Sequence, residues 1–306
     1  MDARAGNDGA GNDGAGNHEA GSDATGSREV VVGLDPRDGS RAAISWAAEE
    51  AALRGLPLRL VVAVPWLADT RHVDAEPQRV SLRAQAGRIL ESAAAWAADE
   101  YALPELVLEV YDGSPVAALT AGSRHAQAVV VGSRDLNRLE EVLSAGSVVV
   151  PLTARARCPV VVVREPPAGR SRRPRLVVGV DARSPSAAAL GFAFGEAAVR
   201  GVALDAVSVS EPPVLPFTRR KRAGERQRGT LAGTVADWSG RYPGVAVAEE
   251  VLSGDPVEEL VRASTSVVAV VVGRSPRRAG AGLRTGRVVH GLLHRADCPV
   301  IVVPPQ

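Results

Sequence analysis

Short valine-rich runs recur along the first half of the chain, at 30–34, 58–64, 106–110, 128–132 and 159–163, with almost no polar residue inside them. Runs of that length without polar alternation predict strands buried on both faces, as in a parallel sheet. Between them lie alanine-rich segments whose apolar positions return every three to four residues, which predicts helices. The first helix is expected to start at a cap near Asp38 or Ser40 and to stop at Gly55. Ile44, Ala47, Ala48, Ala51 and Ala52 form its buried stripe. Pro115 suits the first turn of the third helix, where a missing N–H costs nothing. Five strands with intervening helices predict an α/β, doubly wound, five-stranded parallel sheet.

The whole pattern then occurs again. Val30-Val31-Val32-Gly33-Leu34-Asp35 returns as Leu176-Val177-Val178-Gly179-Val180-Asp181, and Arg54-Gly55 returns as Arg200-Gly201, both 146 residues on. Gly113-Ser114-Pro115-Val116 matches Gly254-Asp255-Pro256-Val257, and Val129-Val130-Val131-Gly132 matches Val270-Val271-Val272-Gly273, at an offset of 141. Cys158-Pro159-Val160-Val161-Val162-Val163 matches Cys298-Pro299-Val300-Ile301-Val302-Val303 at 140. Anchors in one order with slowly shrinking offsets mean two tandem copies of one domain, since solenoid repeats have far shorter periods. The expected boundaries are a tail over 1–28, a first domain over 29–164, a linker over 165–174 with Pro166, Pro167 and Gly169, and a second domain over 175–306. The tail repeats Ala-Gly-Asn-Asp-Gly pentads and buries too little apolar area to offset its ordering entropy, so it is expected to be disordered. A calcium-binding repeat would need a nine-residue period with apolar positions, which the pentads lack.

Composition narrows the function. Aromatic residues are 3% of the chain, so a base-stacking platform or aromatic cage has little material, which argues against a nucleic-acid partner. Lys221 is the single lysine, which excludes a P-loop, a protein kinase and a Schiff-base enzyme. Two cysteines exclude a disulfide framework and fit a reducing cytosol. No apolar stretch approaches the ~18 residues that a membrane span requires, and the acidic, glycine-rich start does not read as a signal peptide. A soluble, cytoplasmic protein without a membrane partner is expected. The formal charge of +1 averages −3 over 1–28, −4 over 29–165 and +8 over 166–306, so the two copies should not treat anions alike.

In an open parallel sheet a ligand lies beyond the carboxyl ends of the strands, where the winding reverses. If the order is 3-2-1-4-5, that point falls between the first and fourth strands. It would collect the carboxylates Asp35 or Asp181 and the glycines Gly132 or Gly273. Either carboxylate can instead cap the turn or helix that follows, a task Asp38 or Ser184 can share.

The Val-Val-Val-Gly-x-Asp start, the Gly-x-Pro opening of the third helix and the Val-Val-Val-Gly loop before Cys-Pro-Val-Val-Val-Val resemble the universal stress protein family in a tandem two-domain form. The resemblance covers about 29–164 and 175–303. It implies flavodoxin-like domains, a last strand that pairs domains or subunits into a pseudo-dimer or a homodimer, and, in one subclass, ATP binding (with Mg2+) without committed catalysis. It also implies that Asp35 lies near the adenine or ribose and that Val62 or Ala63 contacts the base. The ATP-binding subclass carries Gly, two residues, Gly, nine residues, then Gly and Ser or Thr. Glycines there let N–H groups approach phosphate oxygens, and the hydroxyl adds a donor at a helix start. Gly132, Gly146 and Ser147 fit in the first copy, although Asp135 replaces the second glycine and the loop is one residue longer. Gly273 and Gly286 have the family's spacing in the second copy, but Pro276 replaces the second glycine and Arg287 the hydroxyl residue. Loop 132–147 carries a net −1 and loop 273–287 a net +5, so the better anion field accompanies the poorer motif.

Three further groups carry alternatives. His290, His294 and Cys298 have a zinc-like spacing, yet Cys158 in the first copy has no such histidines, and both cysteines read as small buried residues. A disulfide would need the two strand starts to meet at a pseudo-two-fold axis within ~7 Å. The basic run Arg219–Arg228 can serve as a phosphate or anionic-lipid patch, but is expected to be a solvated loop. The resulting expectation is a stress-responsive regulatory or protective module that binds ATP or another adenine nucleotide and is not an enzyme. One alternative is an interaction module with decayed pockets. The other is an adenylating or ATP-cleaving enzyme, for which the stretch Gly33–Ser40 lacks the pyrophosphate loop.

Overall fold

A computed structural model describes residues 28–36, 41–64, 75–133, 148–164, 173–210, 217–274 and 286–305, with the side chains of 75–77 and 217–223 left aside. The first half runs β1 (Glu29–Gly33), α1 (Arg41–Arg54), β2 (Leu58–Val64), α2 (Ala75–Glu100), β3 (Leu106–Asp112), α3 (Pro115–Gly122), β4 (Ala126–Gly132), α4 (Val149–Arg155) and β5 (Val160–Val163). The second repeats it as β6 (Arg175–Gly179), α5 (Ala187–Arg200), β7 (Ala203–Ser210), α6 (Phe217–Ser239), β8 (Val247–Ser253), α7 (Pro256–Ala263), β9 (Ala269–Gly273), α8 (Arg287–Arg295) and β10 (Val300–Val303).

Local chemistry sets the ends of these elements. α1 and α5 stop where Gly55 and Gly201 take φ of 61° and 63°, a left-handed turn that only glycine adopts cheaply. Leu56 N–H then returns to Ala51 O at 2.9 Å, and Val202 N–H to Ala197 O at 3.0 Å, which satisfies carbonyls the helices leave open. α3 and α7 start on Ser114 and Asp255, whose side-chain oxygens accept from Ala117 N–H and Val257 N–H, with proline in the first turn. α5 is capped by Ser186, whose Oγ accepts from Ala189 N–H at 3.2 Å, and not by Ser184, which closes the preceding turn onto Asp181 O. The basic run Arg219–Arg228 corrects the loop expectation: it lies inside α6, because Arg, Lys, Gln, Glu and Ala are strong helix formers even where nothing packs on them. Arg226 and Arg228 there are exposed.

Each half is a doubly wound parallel sheet in the order 3-2-1-4-5, and the halves join edge to edge into one sheet ordered β3-β2-β1-β4-β5-β10-β9-β6-β7-β8. The joint is antiparallel, with Val300 opposite Val162, Ile301 opposite Val161 and Val302 opposite Val160. Every residue of β5 and β10 is buried, so pairing the two strands covers edges that would otherwise be long, apolar and open. Alternate valines then feed two cores. Val30, Val32, Val161 and Ile301 pack with α1, α2, α5 and α6, whereas Val31, Val129, Val160 and Val300 pack with the opposite layer of α3, α4, α7 and α8.

Glu50 and Glu196, buried at the contact between α1 and α5, could not be inferred from the apolar stripes. Arg54 and Arg200 each bond the glutamate one turn back on their own helix, then reach across. Arg54 Nη2 meets Glu196 Oε2 at 2.6 Å, and Arg200 Nη2 meets Glu50 Oε2 at 2.9 Å. Arg200 Nη1 also reaches Glu49 at 2.9 Å, and its guanidinium lies over the Trp46 ring at 4.8 Å. The repeated Glu-x-x-x-Arg-Gly at 50–55 and 196–201 was its only sequence signal.

Candidate functional site

The winding reverses between β1 and β4, and between β6 and β9, so the crevice expected from the topology exists in both halves. In the first, Gly33 is paired with Val131; one step further the register sets Leu34 beside Gly132, with Asp35 next along the lip. In the second, Gly179 is paired with Val272, which sets Val180 beside Gly273 and Asp181 next. Each crevice thus brings together the carboxylate and the glycine that the sequence singled out. Gly146, Ser147 and Asp135, together with Pro276, the tail and the capping residues Asp38 and Ser40, lie outside the described residues.

The side chains show how the two crevices differ from expectation. Val62 is fully buried in the core layer beneath α1 and α2, and so does not present its side chain to the crevice; Ala63 is half-buried. Asp181 is exposed, and its Oδ1 accepts from Arg183 N–H at 2.9 Å, so it holds the turn after β6. Gly273 has a packing reason of its own: a Cβ built there would stand 2.7 Å from the Ser186 Cβ, so the glycine lets the start of α5 close onto the sheet. Gly286 is the N-cap of α8 and supplies no side-chain cap, and Val148 supplies none to α4. Both helices therefore open toward the crevice edge without a side chain of their own on the first N–H groups, the polarity that suits an anion.

Of the arginines that give the second loop its charge, two are directed elsewhere. Arg287 pairs with Asp255, the cap of α7, and Arg274 Nη1 donates to Thr153 O at 2.8 Å, at the carboxyl end of α4 in the other half. The +5 counted along the sequence overstates the field at the crevice for that reason. Arg164 makes a comparable crossing, donating from Nη2 to Leu293 O at 2.9 Å and His294 O at 3.1 Å at the end of α8.

The remaining candidates resolve locally. The rings of His290 and His294 are 4.5 Å apart, but no group of three His, Cys, Asp or Glu able to hold a metal occurs among the described residues. Cys158 and Cys298 are both buried and are not joined in a disulfide. Burial pushes the Cys158 thiol up to about 12, which is the behaviour of a packing residue and not of a nucleophile. No described helix is long and apolar enough to cross a membrane.

A model of the universal stress protein family matches residues 26–164 and again 173–304. The chain is 33% identical over 286 residues to the universal stress protein Rv2623 of Mycobacterium tuberculosis, covering 89% of this chain and 95% of that one. It is 34% identical over 290 residues to Rv2005c of the same organism, covering 89% and 96%. Among solved structures, a universal stress protein from Archaeoglobus fulgidus superposes with a TM-score of 0.66 at 16% identity, over 91% of this chain and 97% of that one.

Proposed function

Because this chain belongs to the universal stress protein family, we propose that it is a cytoplasmic, stress-responsive regulatory or protective module that binds ATP or another adenine nucleotide in its first half, without committed catalysis. The observation that carries the reading is the meeting of Asp35 and Gly132 at the reversal point between β1 and β4, on the edge toward which α4 opens without a side-chain cap. Gly132, Gly146 and Ser147 would hold the phosphates through main-chain N–H groups and a hydroxyl, and Asp35 would face the sugar or base.

For the second half, the directed contacts of Arg274 and Arg287 and the close packing of Gly273 on Ser186 favour the other reading, a crevice kept for structure. Calorimetric titration of ATP with magnesium into the full chain tests both. Binding heat lost in Gly146→Asp and kept in Gly286→Asp is expected. No heat at high-micromolar protein would overturn the nucleotide reading. Loss only in Gly286→Asp would move the site to the second half, and phosphate release above background would turn the proposal toward an enzyme.

A further inference from the structure

Away from both crevices, the two halves enclose an open groove of about 860 Å³. One wall comes from the amino ends of β1, β4 and β5 in the first half, the other from α5, the end of α6 and the residues after β10 in the second. Arg28, Arg124, His125, Arg157 and Arg241 line it, and no Asp or Glu does among the described residues. Arg54 also reaches it, but its charge is taken up by Glu50 and Glu196. Arg28 Nη1 donates to the neutral Gln127 Oε1 at 3.4 Å and makes no ion pair with a described side chain, and Arg241 lies over the Trp238 ring at 4.8 Å. Neither Arg124 nor Arg157 makes an ion pair with a described side chain, and both are exposed.

The internal repeat supplies a control for whether this charge is a by-product of the fold. Arg157 N–H donates to Ser123 Oγ at 3.0 Å, and Asp297 N–H donates to Ser264 Oγ at 3.3 Å, so the two turns make the same bond at equivalent positions of the repeat. At the offsets of the repeat, Arg28, Arg124, His125 and Arg157 correspond to Pro174, Thr265, Ser266 and Asp297. The fold therefore tolerates neutral or acidic residues at every one of these places. Concentrating cations in one of two equivalent positions, with no Asp or Glu among the described lining residues to offset them, costs self-repulsion that an anionic ligand would relieve.

We propose that this groove between the halves binds a polyphosphate chain. Planar guanidinium groups match phosphate oxygens in pairs, and several of them converging on one groove suit a chain of phosphates better than a single anion. Its ligand differs in place from the nucleotide proposed above, because the groove lies at the amino ends of β1 and β4 and the crevice at their carboxyl ends. Since both halves contribute, an occupant would also tie them together and raise the unfolding temperature by mass action.

The test is calorimetric titration of inorganic tripolyphosphate into the full chain, with thermal unfolding in parallel. Arg124→Glu/Arg157→Glu is expected to weaken binding by roughly a hundredfold, about tenfold per arginine lost, and to remove the thermal shift. Gly146→Asp should leave tripolyphosphate binding unchanged, which separates this site from the nucleotide reading. Arg226→Glu/Arg228→Glu, an equal charge change on α6 outside the groove, should weaken it by less than threefold. Absence of heat with the unaltered chain, unchanged binding in Arg124→Glu/Arg157→Glu, or equal loss in the α6 variant would each overturn the proposal. ATP that displaces tripolyphosphate in the Gly146→Asp background would assign the groove to nucleotide-borne phosphates, and failure to displace it to inorganic chains.

Discussion

Replacing Glu50 by Gln should change how the stability of the protein depends on pH. Glu50 and Glu196 are buried side by side with Arg54 and Arg200, and Glu49 joins Arg200 from the surface. Three carboxylates face two guanidinium groups, so the cluster is neutral only when it holds one proton. Burial, then the neighbouring Glu196 charge, raise Glu50 from 4.5 to about 7, while Arg200 holds Glu196 below its usual range. A raised carboxyl stabilises the fold fully below the unfolded value of 4.5 and loses that contribution as pH rises through about 7. Above pH 5.5 Glu196 is ionised folded and unfolded alike and adds no slope. Between pH 5.5 and 8 the loss at Glu50 spans roughly 1.5 pH units, or about 2 kcal/mol. Glutamine cannot titrate; it keeps an N–H donor for Glu196 and an oxygen for one of the two arginines that Glu50 accepts from, Arg54 and Arg200. Urea unfolding at both pH values should therefore show the unaltered chain losing about 2 kcal/mol relative to Glu50→Gln on going from pH 5.5 to 8. Equal pH dependence of the two proteins would refute the shared proton, because every other titrating group cancels in the comparison. Glu50→Ala is the contrast: it strands the arginines and opens a void, so it should be less stable at both pH values.

Two further outcomes follow from packing. Gly191→Ala would set a methyl 2.5 Å from the Trp238 ring, which must shift to make room, so a loss of about 1–3 kcal/mol by urea unfolding and a shift in tryptophan fluorescence are expected. An unchanged midpoint would mean that the α5–α6 contact is loose. Cys158, buried and with its thiol pushed up to about 12, should resist thiol reagents at pH 8 until the chain is unfolded; labelling of the native protein at the rate of a free thiol would contradict its burial.

Much of the architecture was readable from residues close together in sequence. Uninterrupted valine runs marked strands buried on both faces, and Gly55, Gly201, Pro115 and Pro256 marked helix ends, because these signals act within one turn or strand. The reading failed where local preference and site inference competed. Arg219–Arg228 reads as a solvated loop because charged runs are usually exposed faces, whereas its residues favour helix and it lies in α6. Of the two residues the resemblance offers to the base, Val62 or Ala63, strand alternation turns Val62 toward the core layer and leaves Ala63 on the other face. The charge of loop 273–287 was counted along the chain, whereas Arg274 and Arg287 are held by Thr153 O and Asp255.

The sequence by itself determined that there are two copies of one doubly wound domain, where their strands and helices lie, and which glycines and carboxylates meet at the reversal point. Those properties depend on period, propensity and order, which a linear pattern carries. That the last strands pair the copies follows already from the resemblance; only the tertiary structure decided the antiparallel register of that joint and what it brings together. Antiparallel pairing of β5 with β10 brings Glu50 within reach of Arg200, and the turns at Arg124 and Arg157 opposite Trp238 and Arg241. These partners are separated by tens to more than a hundred residues, and the favourable terms that select them, covering apolar edges and neutralising buried charge, exist only once both halves have folded and met.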